Sequence, residues 1–192
     1  CFRGVFMEWI ERDNLIDHGL SRTRLPWNEE TIGDMESICN SYDGPAFESC
    51  WENIGRTHVR RGIVSDETLL FSLCQRALVP SGQDACYISG VASLVNIRAR
   101  SGKTSGSELG PFCNRFLGND RKLKQCIEQV VLYTMRTSPQ FAQDIAGFCK
   151  NVPISQSDFC FEFLTYKLET ITEKQREEIC KEAYDSLHRI CQ

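Results

Sequence analysis

Ten of the eleven cysteines in this chain fall into five close pairs, and this spacing constrains the fold more than any other feature of the sequence. The members of each pair are 11, 12, 13, 11 and 11 residues apart. Zinc sites have shorter C-x2–4-C spacings, and C-x-x-C motifs are absent. The spacing therefore predicts local disulfides. The predicted pairs are Cys39 with Cys50, Cys74 with Cys86, Cys113 with Cys126, Cys149 with Cys160, and Cys180 with Cys191.

Disulfides persist in oxidising compartments, so the spacing predicts an extracellular, periplasmic or cell-surface protein. Two alternatives stay open: reduced thiols buried in a core, or disulfides that join different repeats. The last pair is a special case, because no Gly or Pro lies between Cys180 and Cys191. If that segment is one continuous helix, its rise of about 1.5 Å per residue places the two cysteines too far apart for a bond.

The residues around the cysteines repeat with a helical period. A large apolar residue follows the second cysteine each time, and an apolar residue or Gly lies one turn later. The first set is Phe2, Trp51, Tyr87, Ile127 and Phe161, and the second is Val5, Ile54, Gly90, Val130 and Leu164. Apolar residues also precede the first cysteine by one and, in four of five repeats, by four positions. This pattern predicts a helix on each side of each pair.

Turn residues separate the two helices of each repeat. Gly, Pro, Asn and Asp lie between the paired cysteines in four of the five repeats, as in Asp43-Gly44-Pro45 and Pro80-Ser81-Gly82. Asn28, Ser65 and Ser138 are predicted N-caps, and Pro139 follows the last of them. Each repeat is therefore expected to be a helical hairpin closed by one disulfide near its turn.

The repeat length is 35, 39, 36 and 31 residues between successive first cysteines. In period and hairpin form this is similar to α-solenoids of the tetratricopeptide class, although the tetratricopeptide signature residues are missing. We expect an all-α fold, a right-handed solenoid of about five helical hairpins, each with a local disulfide. The chain would form one helical-repeat domain, with units at about 1–27 (partial), 28–64, 65–106, 107–137, 138–171 and 172–192.

Cys1 has no partner in this scheme. It aligns with the second cysteine of a pair, so the helix that would precede it is missing from the sequence. This register favours the C-terminal part of a longer array. Two alternatives remain: Cys1 carries a lipid anchor after signal-peptide cleavage, or it forms a bridge to another chain or to a distant part of this one.

The sequence favours a binding protein over an enzyme. The formal net charge of −4 argues against nucleic-acid binding, and no apolar run approaches the length of a membrane span. The motifs G-x-S-x-G and H-E-x-x-H are absent, and no cofactor or metal site is expected. We predict a non-enzymatic scaffold that binds a protein partner or self-assembles. The alternatives are a subunit of an extracellular polymer or surface layer, and an enzyme that acts on polysaccharides in a groove.

Basic residues recur near the ends of the second helices and form one candidate binding site for an anionic ligand. In a solenoid, Arg12, Arg61, Arg98 and Arg136 would stack into a ridge. The competing interpretation, which we favour, is that these cations offset the helix dipoles. A long connecting segment supplies a second candidate site, with Arg22, Arg24 and Trp27. The alternative, which we favour, is a packing strap in which Leu20, Leu25 and Trp27 cover one end of the array.

Two further candidates follow from the repeat alignment. His58 occupies a position where other repeats have large apolar residues. This position favours a buried histidine, and a ligand-binding or pH-sensing histidine is the alternative. The incomplete first repeat would leave an apolar edge uncovered, and this edge is a candidate docking surface. Its residues are Phe2, Val5, Phe6 and Trp9.

Overall fold

The computed structural model describes residues 29–101, 110–137 and 142–169, together with residues 173 and 177. Over these residues the chain forms seven α-helices and one 3-10 helix, and it contains no strand. The all-α prediction is confirmed. The helices are α1 (Glu29–Asn40), α2 (Gly44–Arg60), α3 (Glu67–Cys74), α4 (Pro80–Ser101), the 3-10 helix (Gly110–Phe116), α5 (Asp120–Thr137), α6 (Ala142–Asn151) and α7 (Ile154–Glu169).

Four disulfides close four successive helical hairpins. They join Cys39 to Cys50, Cys74 to Cys86, Cys113 to Cys126, and Cys149 to Cys160, with Cα–Cα distances of 5.4 to 5.8 Å. All eight of these cysteines are buried. These are four of the five pairs that the spacing predicts. Cys1, Cys180 and Cys191 lie outside the described residues.

Contacts between Cα atoms divide the chain into two units, residues Cys1–Gly90 and Val91–Gln192. In the first unit, α2 packs against both α1 and α3. In the second unit, α5 packs against the 3-10 helix and α7, and α6 packs against α7. The stacking of all hairpins into one solenoid, and the predicted unit boundaries, remain predictions.

The repeat alignment identifies the core. The residue after the second cysteine is buried in three hairpins (Trp51, Tyr87 and Ile127) and half-buried at Phe161. Three residues further along, Ile54, Gly90, Val130 and Leu164 are all buried. Ile38 is the exception before the first cysteine, because 38% of its surface is exposed.

Two aromatic residues at equivalent positions also make polar contacts with the preceding helix. The Trp51 Nε1–H donates to Asn40 Oδ1 at 3.1 Å, and the Tyr87 hydroxyl donates to Glu67 Oε1. A buried indole or phenol needs such a partner for its polar atom. These bonds therefore fix each second helix against the first helix of its hairpin, in addition to the disulfide.

Three local predictions need correction. The N-cap of α3 is Asp66 rather than Ser65, because the Asp66 carboxylate accepts the Leu69 N–H at 2.9 Å. Pro80-Ser81-Gly82 does not form the turn but begins α4. Proline is tolerated at this position because the N–H groups of the first helical turn have no partner within the helix, so the absence of one costs nothing. The segment around Cys113 is a 3-10 helix instead of an α-helix. Asn28, Ser138 and Pro139 lie outside the described residues.

Glycine has a specific function at two positions, one within α2 and one just after its end. A Cβ on Gly55 would overlap the Cys86 carbonyl oxygen and lie 2.9 Å from its carbonyl carbon, so only glycine permits this approach of α2 to α4. Gly62, with φ of 74°, ends the helix. Its N–H donates to the Val59 carbonyl and the Ile63 N–H to the His58 carbonyl, which is the Schellman arrangement.

Candidate functional site

Most of the predicted binding residues lie outside the residues that the structure describes. This applies to the proposed docking edge, the long connecting segment and the first arginine of the ridge. Arg136 lies on α5, but its side chain is not described either. The residues outside are Phe2, Val5, Phe6, Trp9, Arg12, Arg22, Arg24 and Trp27. Their predicted roles remain predictions.

The two arginines of the predicted ridge that are described differ in their surroundings. Arg61 is exposed and forms the C-cap of α2. Arg98 is half-buried, and its guanidinium carbon lies 5.0 Å from the centre of the Phe112 ring. Arg98 therefore packs on an aromatic face in a cation–π contact. The two residues belong to different units, and the ridge itself stays a prediction.

His58 is buried, as its place in the repeat predicts, with 1% of its surface exposed. Its Nδ1 lies 2.8 Å from the Ile54 carbonyl oxygen, one helical turn earlier, and must carry a proton to donate to it. Burial lowers the pKa of His58, the hydrogen bond to Ile54 raises it, and the charge of Arg76 lowers it further. The side chain is therefore neutral at pH 7 and serves the packing of α2.

A different region emerges as the candidate functional site, namely the residues between paired cysteines. In the first unit these are residues 40–49 and 75–85, which we call the first tip. Asn40 holds the two segments together: its Oδ1 accepts the Leu78 N–H at 3.3 Å, and its Nδ2 donates to the Arg76 carbonyl at 3.3 Å. The Arg76 guanidinium also pairs with Glu36 of α1 at 2.8 Å.

The second unit has an equivalent region, residues 114–125 and 150–159, which we call the second tip. The Gln156 Nε2 donates to the Asp120 carboxylate at 2.5 Å, and this bond links the start of α7 to the start of α5. The Lys124 ammonium lies 5.4 Å from the centre of the Phe159 ring. As in the first unit, tertiary contacts place two disulfide-closed segments side by side.

Both tips expose large apolar side chains. The exposed fractions are 42% for Tyr42, 74% for Leu78 and 48% for Val79 in the first tip, and 60% for Leu117 and 94% for Ile154 in the second. Sequence reasoning treated these segments only as turns. The signal that it missed was a large apolar residue directly beside the Gly, Pro or Asp of each turn.

The described residues contain no group of three or more His, Cys, Asp or Glu side chains that could hold a metal ion. Within the same part of the chain, no helix is both long and apolar enough to cross a membrane. No protein-family model, no curated protein and no solved structure matches the sequence.

Proposed function

We propose that this protein is a secreted or cell-surface scaffold, without enzymatic activity, that binds another protein through the tips of its helical hairpins. One observation carries the proposal. Among the described residues, the three most exposed large apolar side chains all lie between two cysteines that a disulfide joins. They are Ile154, Leu78 and Leu117.

Exposed apolar residues on constrained loops are suited to protein recognition. Burying a Leu or Ile side chain in an interface contributes about 1.5 to 3 kcal/mol. A flexible loop would lose part of this free energy because binding restricts its conformations. A disulfide across the turn restricts them already in the free protein, so less is lost on binding. The tips therefore present apolar anchors with little conformational cost on binding.

The four disulfides support the location in the proposal. Such bonds are stable outside the cell and rare in the cytosol. Chain-entropy arguments give about 3 kcal/mol for closing a loop of roughly this length. A scaffold built from several such hairpins, stacked in the predicted solenoid, would keep its tips in a fixed form in an extracellular environment.

The test is photo-cross-linking with the oxidised full chain. A photoreactive residue is placed at Leu78 or Ile154, and at Leu69 or Tyr166 as controls. The controls are also exposed apolar residues, at 47% and 56%, but they lie on helices outside the tips. The chain is exposed to the extracellular proteins of its native source. We expect a discrete protein adduct from the tip positions, competed by unlabelled wild type and not by the Leu78→Ser, Ile154→Ser chain.

Two results would contradict the proposal. Adducts that are the same from tip and control positions would mean non-specific contact. No protein adduct from either tip would mean that the tips do not bind protein. The predicted location is tested separately, by alkylating the protein from its native source without reduction. Recovery of Cys39, Cys74, Cys113 and Cys149 as free thiols would refute an oxidising compartment.

A further inference from the structure

The two tips carry opposite charge. The first tip contains three anions and one cation, and the second contains two anions and five cations. The first set is Asp43, Glu48, Asp84 and Arg76, and the second is Asp120, Asp158, Arg115, Arg121, Lys122, Lys124 and Lys150. The net charge is thus −2 on the first tip and +3 on the second, although the hairpin architecture is the same.

The cations of the second tip are not explained by the helix on which three of them lie. Helix α5 begins at Asp120, and Arg121, Lys122 and Lys124 occupy its first two turns. Positive charge near a helix N-terminus opposes the helix dipole and costs a few tenths of a kcal/mol per residue. Lys124 recovers part of this through its contact with Asp120, at 3.4 Å. Helix stability alone would favour acidic residues at these positions.

Both tips also expose apolar side chains, which are the second requirement for a specific contact between them. In the first tip, the Leu78 N–H donates to Asn40, and Asn40 comes two residues before the exposed Tyr42 in the sequence. In the second, the exposed Leu117 and Ile154 precede Asp120 and Gln156 in the sequence by three and two residues, and a hydrogen bond joins these two polar residues. Specific protein interfaces combine an apolar centre with a polar, charge-complementary rim. Each tip carries both exposed apolar side chains and charged ones, and the net charges of the two tips have opposite sign.

We infer that the second tip of one copy binds the first tip of another copy of this chain. This inference rests on the proposed function and names the partner: a second copy, recognised by its acidic rim and apolar centre. The contact joins two different surfaces, so it is heterologous. Such contacts either close into a ring of defined size or continue as a linear assembly, and the measured mass distinguishes the two.

Sedimentation of the oxidised full chain tests this directly. Two variants reverse one tip each: Asp43→Lys, Glu48→Lys in the first tip, and Arg115→Glu, Arg121→Glu in the second. All four residues are exposed. We expect wild type to self-associate, and each variant to do so roughly 10- to 100-fold more weakly, because like charges then face each other. Circular dichroism and thermal melting confirm that the variants fold.

Charge rescue separates specific pairing from general repulsion. An equimolar mixture of the two variants presents tips of opposite charge again, so the mixture should associate more tightly than either variant does alone. A chain that carries all four substitutions should also recover self-association. Raising the salt concentration from about 0.1 M to about 1 M shortens the Debye length from about 10 Å to about 3 Å and should weaken wild-type association.

Three outcomes would overturn the inference. They are a wild-type chain that stays monomeric at every concentration and salt tested, self-association that neither single-tip variant weakens, and variants that are not rescued by mixing. The cross-linking experiment distinguishes this failure from failure of the proposed function. A discrete adduct with a different protein at the tips would leave the scaffold proposal intact, with a partner other than this chain.

Discussion

The fifth position after the second cysteine shows how differently the two units build the same hairpin. In α2 this position is Gly55, whose missing side chain lets the backbone of Cys86 approach. In α5 it is Val131, which is fully buried and fills the core with its own side chain. The same repeat register therefore supports two kinds of packing, one by backbone approach and one by apolar side chains.

The two helices also differ in the polarity of their buried residues. Four buried residues of α2 are polar, whereas Thr134 is the one buried polar residue among the described side chains of α5. Where α4 comes close to α2, the Ser89 hydroxyl donates to the Glu52 carbonyl oxygen at 2.5 Å. Close backbone approach brings polar main-chain groups into the interior, and these need polar partners. The four residues of α2 are Glu52, Asn53, Thr57 and His58.

The largest effect is expected from adding one methyl group at Gly55. Gly55→Ala places a Cβ against the Cys86 backbone, which cannot move like a flexible side chain, and should destabilise the chain by about 3 kcal/mol. Val131→Ala removes two methyl groups from the other unit and should cost about 1 to 2 kcal/mol. Urea denaturation followed by circular dichroism measures both.

Gly33→Ala is the matched control for the first prediction. Gly33 lies in α1, and a Cβ there would meet no atom within 4 Å. Because alanine is the better helix former, this variant should be as stable as wild type or up to about 1 kcal/mol more stable. The comparison between the units fails if Gly55→Ala is no more destabilising than Val131→Ala.

An intermediate effect is expected from the amide side chains that hold the tips. Asn40→Ala removes three hydrogen bonds and leaves the buried Trp51 indole without its acceptor, which should cost about 2 to 3 kcal/mol. Gln156→Ala removes the bond to Asp120 in the second tip and should cost about 1 kcal/mol. Hydrogen exchange measured by mass spectrometry reports each loss in its own unit.

The location of the change is the critical readout for these two variants. Asn40→Ala should raise amide exchange at residues 75–79, and Gln156→Ala should raise it at the start of α7. If Asn40→Ala leaves residues 75–79 as protected as in wild type, then Asn40 does not join the two segments of the first tip.

The smallest effect is a pH dependence of stability that His58 should give to the first unit. The folded-state pKa of His58 is lowered from its unfolded value of about 6.5, mainly because the side chain is buried. Below that value the unfolded chain takes up a proton that the folded chain resists. The free energy of unfolding should therefore be fully maintained above about pH 6.5 and fall as the pH decreases towards the folded-state pKa.

Urea midpoints measured between about pH 7.5 and about pH 5 test this prediction. These two pH values lie about one unit or more above and below the unfolded-state pKa of histidine. A His58→Gln chain is the control, because it keeps a polar side chain but cannot take up the proton. An equal fall in stability of wild type and His58→Gln would assign the pH dependence to other groups.

Much of the hairpin architecture could be read from residue spacing. The four described disulfides, the turns near Gly44 and Gly118, and the burial of Trp51, Tyr87 and Ile127 all follow from local rules. Apolar residues at helical spacing lie on one face of the helix, and that face is the one that is buried. A local disulfide needs its two cysteines close together, as at the two ends of a short turn. The difference between Ser65 and Asp66 as the cap shows the limit of such rules, because two adjacent residues of similar capping preference compete for one position.

The tips could not be found in this way. Tyr42, Leu78, Leu117 and Ile154 each lie at or near turn residues in the sequence, and their exposure depends on what packs over each turn. Asn40 likewise gives no sign in the sequence that its side chain will bind groups 36 and 38 residues away.

The sequence by itself determined the helical class, the paired cysteines of each hairpin and the face that each helix buries. These properties depend on residues within one or two helical turns, or on cysteines 11 to 13 residues apart. The tertiary structure alone decided which turns lie together, which apolar side chains remain exposed, and that one tip collects anions and the other cations. These properties arise from contacts between hairpins, where distance along the chain carries no information about distance in space.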